Sequence, residues 1–447
     1  MSRSVSNAGT RLAGFGHRWL PFADAASADL SLPRLLRLSL FQLSTGMAIV
    51  LLTGTLNRIM VVELGQPASW VSLMLAIPLL MAPARALIGY RSDHHRSFLG
   101  WRRIPYLWSG TMMQFGGLAF MPFALILMTE SHSGPELLGP AAAMASFLLT
   151  GLGVHVAQTA GLALATDLAT EETRPRVVAL LYLMLLIGMV GSALIFAALL
   201  EDFGYVRLIQ VIQSAAVITL VLNVVAMLKQ EARRPDLTDH ALARPTFGNA
   251  WRDFISLPKA RPLLWALGLG TMGFTMQDIL LEPYGAQVLG LSVSDTTLLT
   301  AMFAGGMILA LILTSRRLDK GSDPIRVAST GILVGITAFA FVILSAPFQA
   351  PALFQVGAAL IGLGNGLFAV GMLTAAMVFG GDKMAGLTLG AWGAVQAAAA
   401  GVAMFSGGAI RDLVAGWADA GLLGVALQTP ASGLSLIHIS EPTRQAT

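Results

Sequence analysis

Residues 89–103 read GYRSDHHRSFLGWRR, a short basic block between two apolar runs, Val71–Ile88 and Ile104–Met128, each long enough to cross a bilayer. Four Lys/Arg in this stretch predict a connection that stays on the cytoplasmic side. Its glycines and Asp93 suit a tight turn. Once the block is placed, every other apolar run takes its direction from it.

Outward from this block the same pattern repeats. Spans are expected at 36–57, 70–88, 104–128, 139–165, 177–199, 207–228, 262–281, 297–314, 327–346, 352–379 and 387–409, with a twelfth near or beyond residue 420. With a cytoplasmic N-terminus, 23 of the 28 Lys/Arg fall in cytoplasmic segments or, as Arg37, at the cytoplasmic end of span 1, and only Arg58, Arg207 and Arg411 fall on the opposite side. The chain is 55% hydrophobic and 12% charged, about half the roughly 25% charge of a soluble domain. Its mean hydropathy is +0.72. These values predict an all-α polytopic membrane protein and exclude the alternating short segments of a membrane β-barrel. The net charge of +4 belongs to loops that set topology, so nucleic acid is not an expected partner, whereas the lipid bilayer is. There are no cysteines, which removes disulfides, thiolate metal sites and cysteine nucleophiles. No nucleotide loop, zinc-protease motif, catalytic triad or dinucleotide fingerprint occurs at workable spacing, so no enzyme is expected.

The expected organisation is a cytoplasmic arm (1–34), a six-helix half (35–228), a polar cytoplasmic linker (229–261) and a second half (262–433). The arm has no signal-peptide pattern, so the first span is expected to act as an uncleaved insertion signal. Residues 434–447 contain LSLIHISEPTR, which reads like a translated sequencing adapter; they are set aside as a non-native tail, with the natural chain expected to run on past Gly433. Two basic loops, 89–103 and 315–326, stand six spans apart. Two six-helix halves repeated in parallel resemble the major facilitator superfamily. GYRSD is similar to that superfamily's loop signature, GxxxD followed by basic residues: Gly89, Asp93, Arg96, Arg102 and Arg103 carry it, with His94 where a basic residue is usual.

Ionisable groups inside a membrane are expensive, and so they are functional candidates. Span 4 places His155, Gln158, Thr159 and Thr166 on one helical face, with Asp167 at its end. A neutral imidazole there can ligate a metal, including the magnesium of a chlorophyll, or hydrogen-bond a neighbouring helix. Span 7 places Thr271, Thr275, Asp278 and Glu282 on one face, with Gln277 beside them and Pro283-Tyr284-Gly285 closing the segment. This pair of acids can relay protons, bind a cation or offer oxygen to magnesium; alternatively only Asp278 is buried and Glu282 meets interfacial water. Arg85 in span 2 is read as a structural cation paired with a carboxylate or helix carbonyls. Gln42, Gly46, Thr53 and Asn57 share a narrow arc of span 1. Trp392 and Gln396 stand one turn apart in span 11, and GLGNG (362–366) is read as a packing site.

Five stretches resemble one branch of that superfamily, the bacteriochlorophyll-delivery (PucC/LhaA) family of purple phototrophic bacteria. They are LPFADAASADL (20–30), LLRLSLFQLSTGMAIVLLTGTLNR (35–58), RALIGYRSDHHRSFLGWRRIPYLW (85–108), QTAGLALATDLA (158–169) and MQDILLEPYG (276–285). Ala84 departs from the family's usual Phe. The resemblance implies a factor in the intracytoplasmic photosynthetic membrane that binds bacteriochlorophyll and delivers it to light-harvesting antenna polypeptides. Bacteriochlorophyll synthase and the reaction-centre core complex are further implied partners. Pigment contact then falls to His155, Gln158, Thr159, Gln277, Asp278, Glu282 and Tyr284, with His155 the candidate ligand to magnesium. A proton-coupled transporter of a small or lipophilic molecule, and a pigment-free scaffold for antenna helices, stay open beside this reading.

Overall fold

The computed structural model describes residues 31–81, 101–128, 137–170, 174–232, 255–257 and 259–420, together with Ile88, Ser92 and Arg252. Arg85, Gly89, Asp93 and Arg96, most of the linker, the N-terminal arm to residue 30, the expected twelfth span and the tail lie outside the described residues. What is described is helical. The elements are α1 (Leu32–Glu63), α2 (Ala68–Leu80), α3 (Ile104–Leu127), α4 (Leu138–Leu168), α5 (Arg174–Leu199) and α6 (Tyr205–Met227) in the first half. The second half has α7 (Ala260–Thr275), α8 (Leu281–Leu289), α9 (Val293–Asp319), α10 (Pro324–Ser345) and α11 (Pro351–Asp419). Nine stretches among the described residues are long and apolar enough to cross a membrane. The expected second span is represented by the shorter α2, and the seventh by α7 and α8 with a break between them.

Large apolar side chains point outward, among them Phe120, Phe123 and Ile126 on α3, Val217 and Val221 on α6, and Leu333 and Ile336 on α10. A water-soluble surface would not carry such continuous patches; this is the outside of a multi-pass membrane protein. Lipid tails compete with side chains for apolar contact, so helices in a membrane associate by close approach and polar contacts. The GLGNG segment does this for α11. A Cβ at Gly362 would stand 2.9 Å from Phe303 Cα on α9, and one at Gly364 would stand 2.8 Å from the Gly331 carbonyl oxygen on α10. The segment therefore seats one helix against two.

The Arg-rich ends of α1, α3, α9 and α10 define a basic end of the bundle, opposite a far end. The first half joins the main core only through its far portion, including Met47–Val61, Ala68–Ala76 and Leu186–Leu200. Nearer the basic end its side chains form a cluster of their own, with Leu35, Phe41, Leu107, Leu164 and Leu181. The two halves thus share an apolar core at the far end.

Polar contacts organise the basic end of the first half. The Glu231 carboxylate accepts from the backbone N–H groups of Arg102 (2.8 Å), Arg103 (3.1 Å) and Ile104 (2.9 Å), capping α3. Arg103 Nε reaches Asp167 Oδ2 at 3.0 Å, its Nη1 donates to Ser92 Oγ at 2.7 Å, and Arg102 Nη2 lies 3.6 Å from Asp167. Arg34 Nη2 donates to the Gln230 carbonyl at 2.6 Å. Arg102 and Arg103, expected as residues of the basic loop and its signature, bind the end of α4.

Three expectations change. The first span does not end at residue 57: α1 runs on to Glu63 through two π-helical segments, Val50–Leu56 and Ile59–Glu63, so Arg58 is inside it and ion-paired with Glu63. Segment 380–386 does not interrupt the helix between the tenth and eleventh spans, because Pro351–Asp419 is helical throughout. Pro283 does not close span 7. It falls in the first turn of α8, where its missing N–H leaves no bond of that helix unmade.

Candidate functional site

The polar residues singled out in the sequence fall into two groups. One is on α4. His155, Gln158 and Thr159 are half-buried on a shared face. Thr159 Oγ1 donates to the His155 carbonyl at 2.7 Å, and Gln158 Nε2 donates to Gln42 Oε1 on α1 at 3.4 Å. Gln42 is almost fully buried, so the stripe is tied to the inner face of the first half. Asp167, the residue after Thr166, is engaged by Arg103 and belongs to the basic end. The α4 stripe itself carries no carboxylate.

The other group is at the joint between the halves, where two imperfect helices meet. A proline at position 283 removes the N–H that would bond the carbonyl of Ile279 and crowds that carbonyl as well. The chain answers with a tighter turn, Met276–Ile279, in 3₁₀ geometry before α8 begins. The Ile279 carbonyl is then satisfied from the other half of the molecule: Asn57 Nδ2 on α1 donates to it at 3.0 Å. Gln277 and Asp278 lie in the tight turn, both half-buried, with Gln277 Nε2 donating to Asp278 Oδ1 and, at 3.2 Å, to the Phe274 carbonyl. Thr271 and Thr275 are buried on α7. The break separates Asp278 from Glu282, so the single face expected of span 7 is divided between two helical pieces.

Glu282 is the more deeply buried acid, 3% exposed, whereas Asp278 is half-buried; the alternative that put Glu282 in interfacial water is not what the fold does. Its Oε1 accepts from Thr300 Oγ1 of α9 at 2.6 Å. Gly54 of α1 makes this possible, because a Cβ there would stand 2.6 Å from Glu282 Oε1. One turn further along α1 are Asn57 and Arg58. Thr55 and Thr297 hydroxyls lie 3.5 Å apart across the same seam. Tyr284 is buried against Phe354, with ring centroids 5.6 Å apart. No group of three or more His, Asp or Glu able to hold a metal ion occurs among the described residues.

A third contact closes the far end. Asp412 of α11 accepts from the first backbone N–H groups of α2, Ala68 at 3.1 Å and Ser69 at 2.6 Å, while Arg411 pairs with Asp412 at 2.8 Å and reaches Gln287 of α8 at 3.3 Å. Sequence reading missed Asp412 altogether. Its signal was positional: a lone Arg-Asp pair at the end of an apolar run, opposite a helix that starts after Pro67 with no capping side chain of its own. Asn57 and Gln42 belong to the narrow arc read on span 1, though nothing in the sequence named their partners. Trp392 and Gln396 are half-buried on α11.

A family model described as "PUCC protein" matches residues 55–440. Among curated proteins, Protein PucC of Rhodovulum sulfidophilum is 53% identical, the alignment covering 93% of this chain and 92% of that protein. Protein PucC of Cereibacter sphaeroides is 48% identical over 93% of this chain and 91% of that protein. A bacteriochlorophyll synthase 44.5 kDa chain of Rhodobacter capsulatus is 28% identical, covering 85% and 88%. Among solved structures, the chain is similar to a bacterial homologue of the lysosomal transporter Spinster in its inward-facing, unoccupied conformation, with a TM-score of 0.64, 16% identity and coverage of 91% and 88%. It is also similar to a D-xylose-proton symporter, with a TM-score of 0.59, 16% identity and coverage of 84% and 89%. These likenesses establish the major facilitator fold.

Proposed function

This chain belongs to the PucC family, and from that premise we propose that it assists assembly of light-harvesting antenna complexes by holding bacteriochlorophyll and passing it to antenna polypeptides. The observation that carries the proposal is the uncharged polar stripe of α4, His155, Gln158 and Thr159, half-buried inside an apolar bundle. A chlorin is a large apolar ligand with few polar points, and sites for such ligands are apolar walls with a small number of placed polar groups. The donor chemistry fits: a neutral imidazole is a good axial ligand for magnesium, and the amide and hydroxyl beside it suit the macrocycle's carbonyl groups. When bound, the pigment would supply the colour and the cargo; the protein would supply orientation and shelter from water. Gln277 and Asp278, half-buried in the second half, are the further pigment-facing candidates. Glu282, with its carboxyl against Gly54 and Thr300, lies at the joint between the halves.

The protein works in the photosynthetic membrane, with its N-terminus and basic end in the cytoplasm. Its partners are the antenna polypeptides, and pigment reaches it from bacteriochlorophyll synthase. The test is direct. Detergent-purified protein from a phototrophic host should carry bacteriochlorophyll absorbance that co-elutes with it, and His155→Leu should lower the pigment-to-protein ratio several-fold. A colourless preparation that still captures antenna polypeptides would refute pigment delivery in favour of a scaffold.

A further inference from the structure

We propose that a buried polar network, Ser44, Thr111, Gln114 and Asn223, positions the pigment site: it fixes the rotation of α1 and so holds Gln42 against Gln158. The role rests on the pigment reading of α4 and adds to it four residues of three other helices. All four are 0% exposed where α1, α3 and α6 meet. Ser44 Oγ lies 2.6 Å from Asn223 Oδ1 and 2.9 Å from the Phe41 carbonyl, and its one proton serves either. Asn223 Nδ2 donates to Thr111 Oγ1 at 3.2 Å, and that hydroxyl donates to the Leu107 carbonyl at 2.7 Å. Gln114 Nε2 donates to the Ser44 carbonyl at 3.4 Å. Two buried atoms of this layer have no partner among the described residues, Gln114 Oε1 and Thr219 Oγ1. Thr219 lies between Gln213 and Asn223 on α6, which bond Ala119 and Thr111 of α3, and Gln114 lies between those two. An acceptor and a hydroxyl donor thus share one level, and a single internal water would join them with no further residue.

Apolar contacts between membrane helices compete with lipid and leave the rotation of a helix loosely set. A hydrogen bond between short side chains forms at one rotation only, as a buried Asn sets register in a coiled coil. Gln42 and Ser44 are two residues apart on α1, so they stand about 200° apart round it. Fixing Ser44 against Asn223 therefore aims Gln42 at α4. Side-chain tips stand roughly 5–6 Å from a helix axis, so a turn of about 20° carries the Gln42 amide about 2 Å. Its bond with Gln158, 3.4 Å long, has no such margin. The other support of α4 is α3. A Cβ at Gly153 would stand 2.9 Å from Gln114 Cα, and one at Gly110 would stand 2.5 Å from the Ala157 nitrogen. His155 is two residues from both Gly153 and Ala157, which places it on the side of α4 away from α3. With α3 behind it and Gln42 at its flank, the stripe is presented in one orientation.

The test compares pigment-loaded parent, Asn223→Leu and Thr111→Ser proteins purified from a phototrophic host. Visible circular dichroism and the resonance Raman bands of the pigment carbonyls report how the pigment is held. Asn223→Leu should keep bound pigment and shift both signals, whereas Thr111→Ser, which retains a hydroxyl, should match the parent. Ser44→Ala removes only a hydroxyl and serves if Asn223→Leu fails to fold. A second measurement needs no pigment. The chain has no native cysteine, so Gln42→Cys and Gln158→Cys can be joined by a short bifunctional thiol reagent. An interhelical hydrogen bond in a membrane is worth roughly 3- to 30-fold in an equilibrium, and adding Asn223→Leu should slow the joining by about that factor. The inference is overturned by variant pigment signals identical to the parent's, by simple loss of pigment with no shift in what remains, or by an unchanged rate of joining. A colourless parent defeats the pigment reading and the inference together; a coloured parent with unmoved variants defeats the inference alone.

Discussion

Replacing Asp412 with alanine tests how the far end is held. In the folded protein this carboxylate accepts two hydrogen bonds from the opening turn of α2, at 3.1 and 2.6 Å, and it reaches them from the other half of the molecule. Losing a helix-capping side chain costs about 0.5–2 kcal/mol, and losing a negative charge at a helix N-terminus adds about 0.3–1 kcal/mol. The Asp412 side chain is 22% exposed, so water takes over part of the burden, and the combined figure is held to about 1–3 kcal/mol. Donor and acceptor sit in different halves, so the loss falls on the equilibrium between joined and parted halves. A coupling of about 1–3 kcal/mol corresponds to roughly 5- to 150-fold in that equilibrium. The chain has no cysteine of its own, and spin labels at Gln66→Cys, beside the start of α2, and Trp417→Cys, on α11, should therefore show a long-distance population raised by that factor in Asp412→Ala, with a smaller rise in Asp412→Asn, which keeps an acceptor and loses the charge. An unchanged distance distribution in Asp412→Ala would refute the reasoning.

Other perturbations read out separate parts of the structure. Arg103→Leu removes one partner each from Asp167 and Ser92, and because Asp167 keeps Arg102 and is 36% exposed the expected loss is about 1–3 kcal/mol, seen as a lower thermal midpoint in detergent. Gly362→Val drives a side chain into the Phe303 backbone and should cost at least about 1–3 kcal/mol with reduced yield of folded protein, whereas a normal thermal midpoint would contradict the close seating of α11 on α9. Gly54→Ala should disturb the joint, since its new Cβ competes with the Glu282 carboxylate; the long-distance population should rise without loss of pigment. Asn57→Leu leaves the Ile279 carbonyl buried and unpaired, at a cost of about 1–3 kcal/mol in thermal stability.

The fold could be read from residues whose physics is additive. Greasy runs of bilayer length and clustered Arg and Lys in loops need no knowledge of neighbours, and so the spans and the superfamily followed from them. What escaped depends on pairs of distant residues. Pro283 announced that a helical bond would be missing, yet only the folded chain brings Asn57 to the stranded Ile279 carbonyl. Hydropathy also ended the first span at the charge of Arg58, because it cannot register that Glu63 waits one turn on to neutralise it. The same blindness hid Asp412, whose role is to finish a helix hundreds of residues away. Gly54 looked like one more small residue until a carboxylate was found resting on it. The α4 stripe was visible because a helical period keeps His155, Gln158 and Thr159 on one side whatever surrounds them.

The clasp of Glu231 on the start of α3 has a mechanical consequence. Residues 229–232 travel with the first half as if they were part of it, so a break in the chain has different consequences on the two sides of Glu231. A chain cut beyond that point and supplied as two pieces keeps the cap on α3 with the first piece. A cut before it takes away the carboxylate that three backbone N–H groups depend on. Co-expressed fragments divided after residue 240 should reassemble in the membrane, and those divided at residue 228 should not.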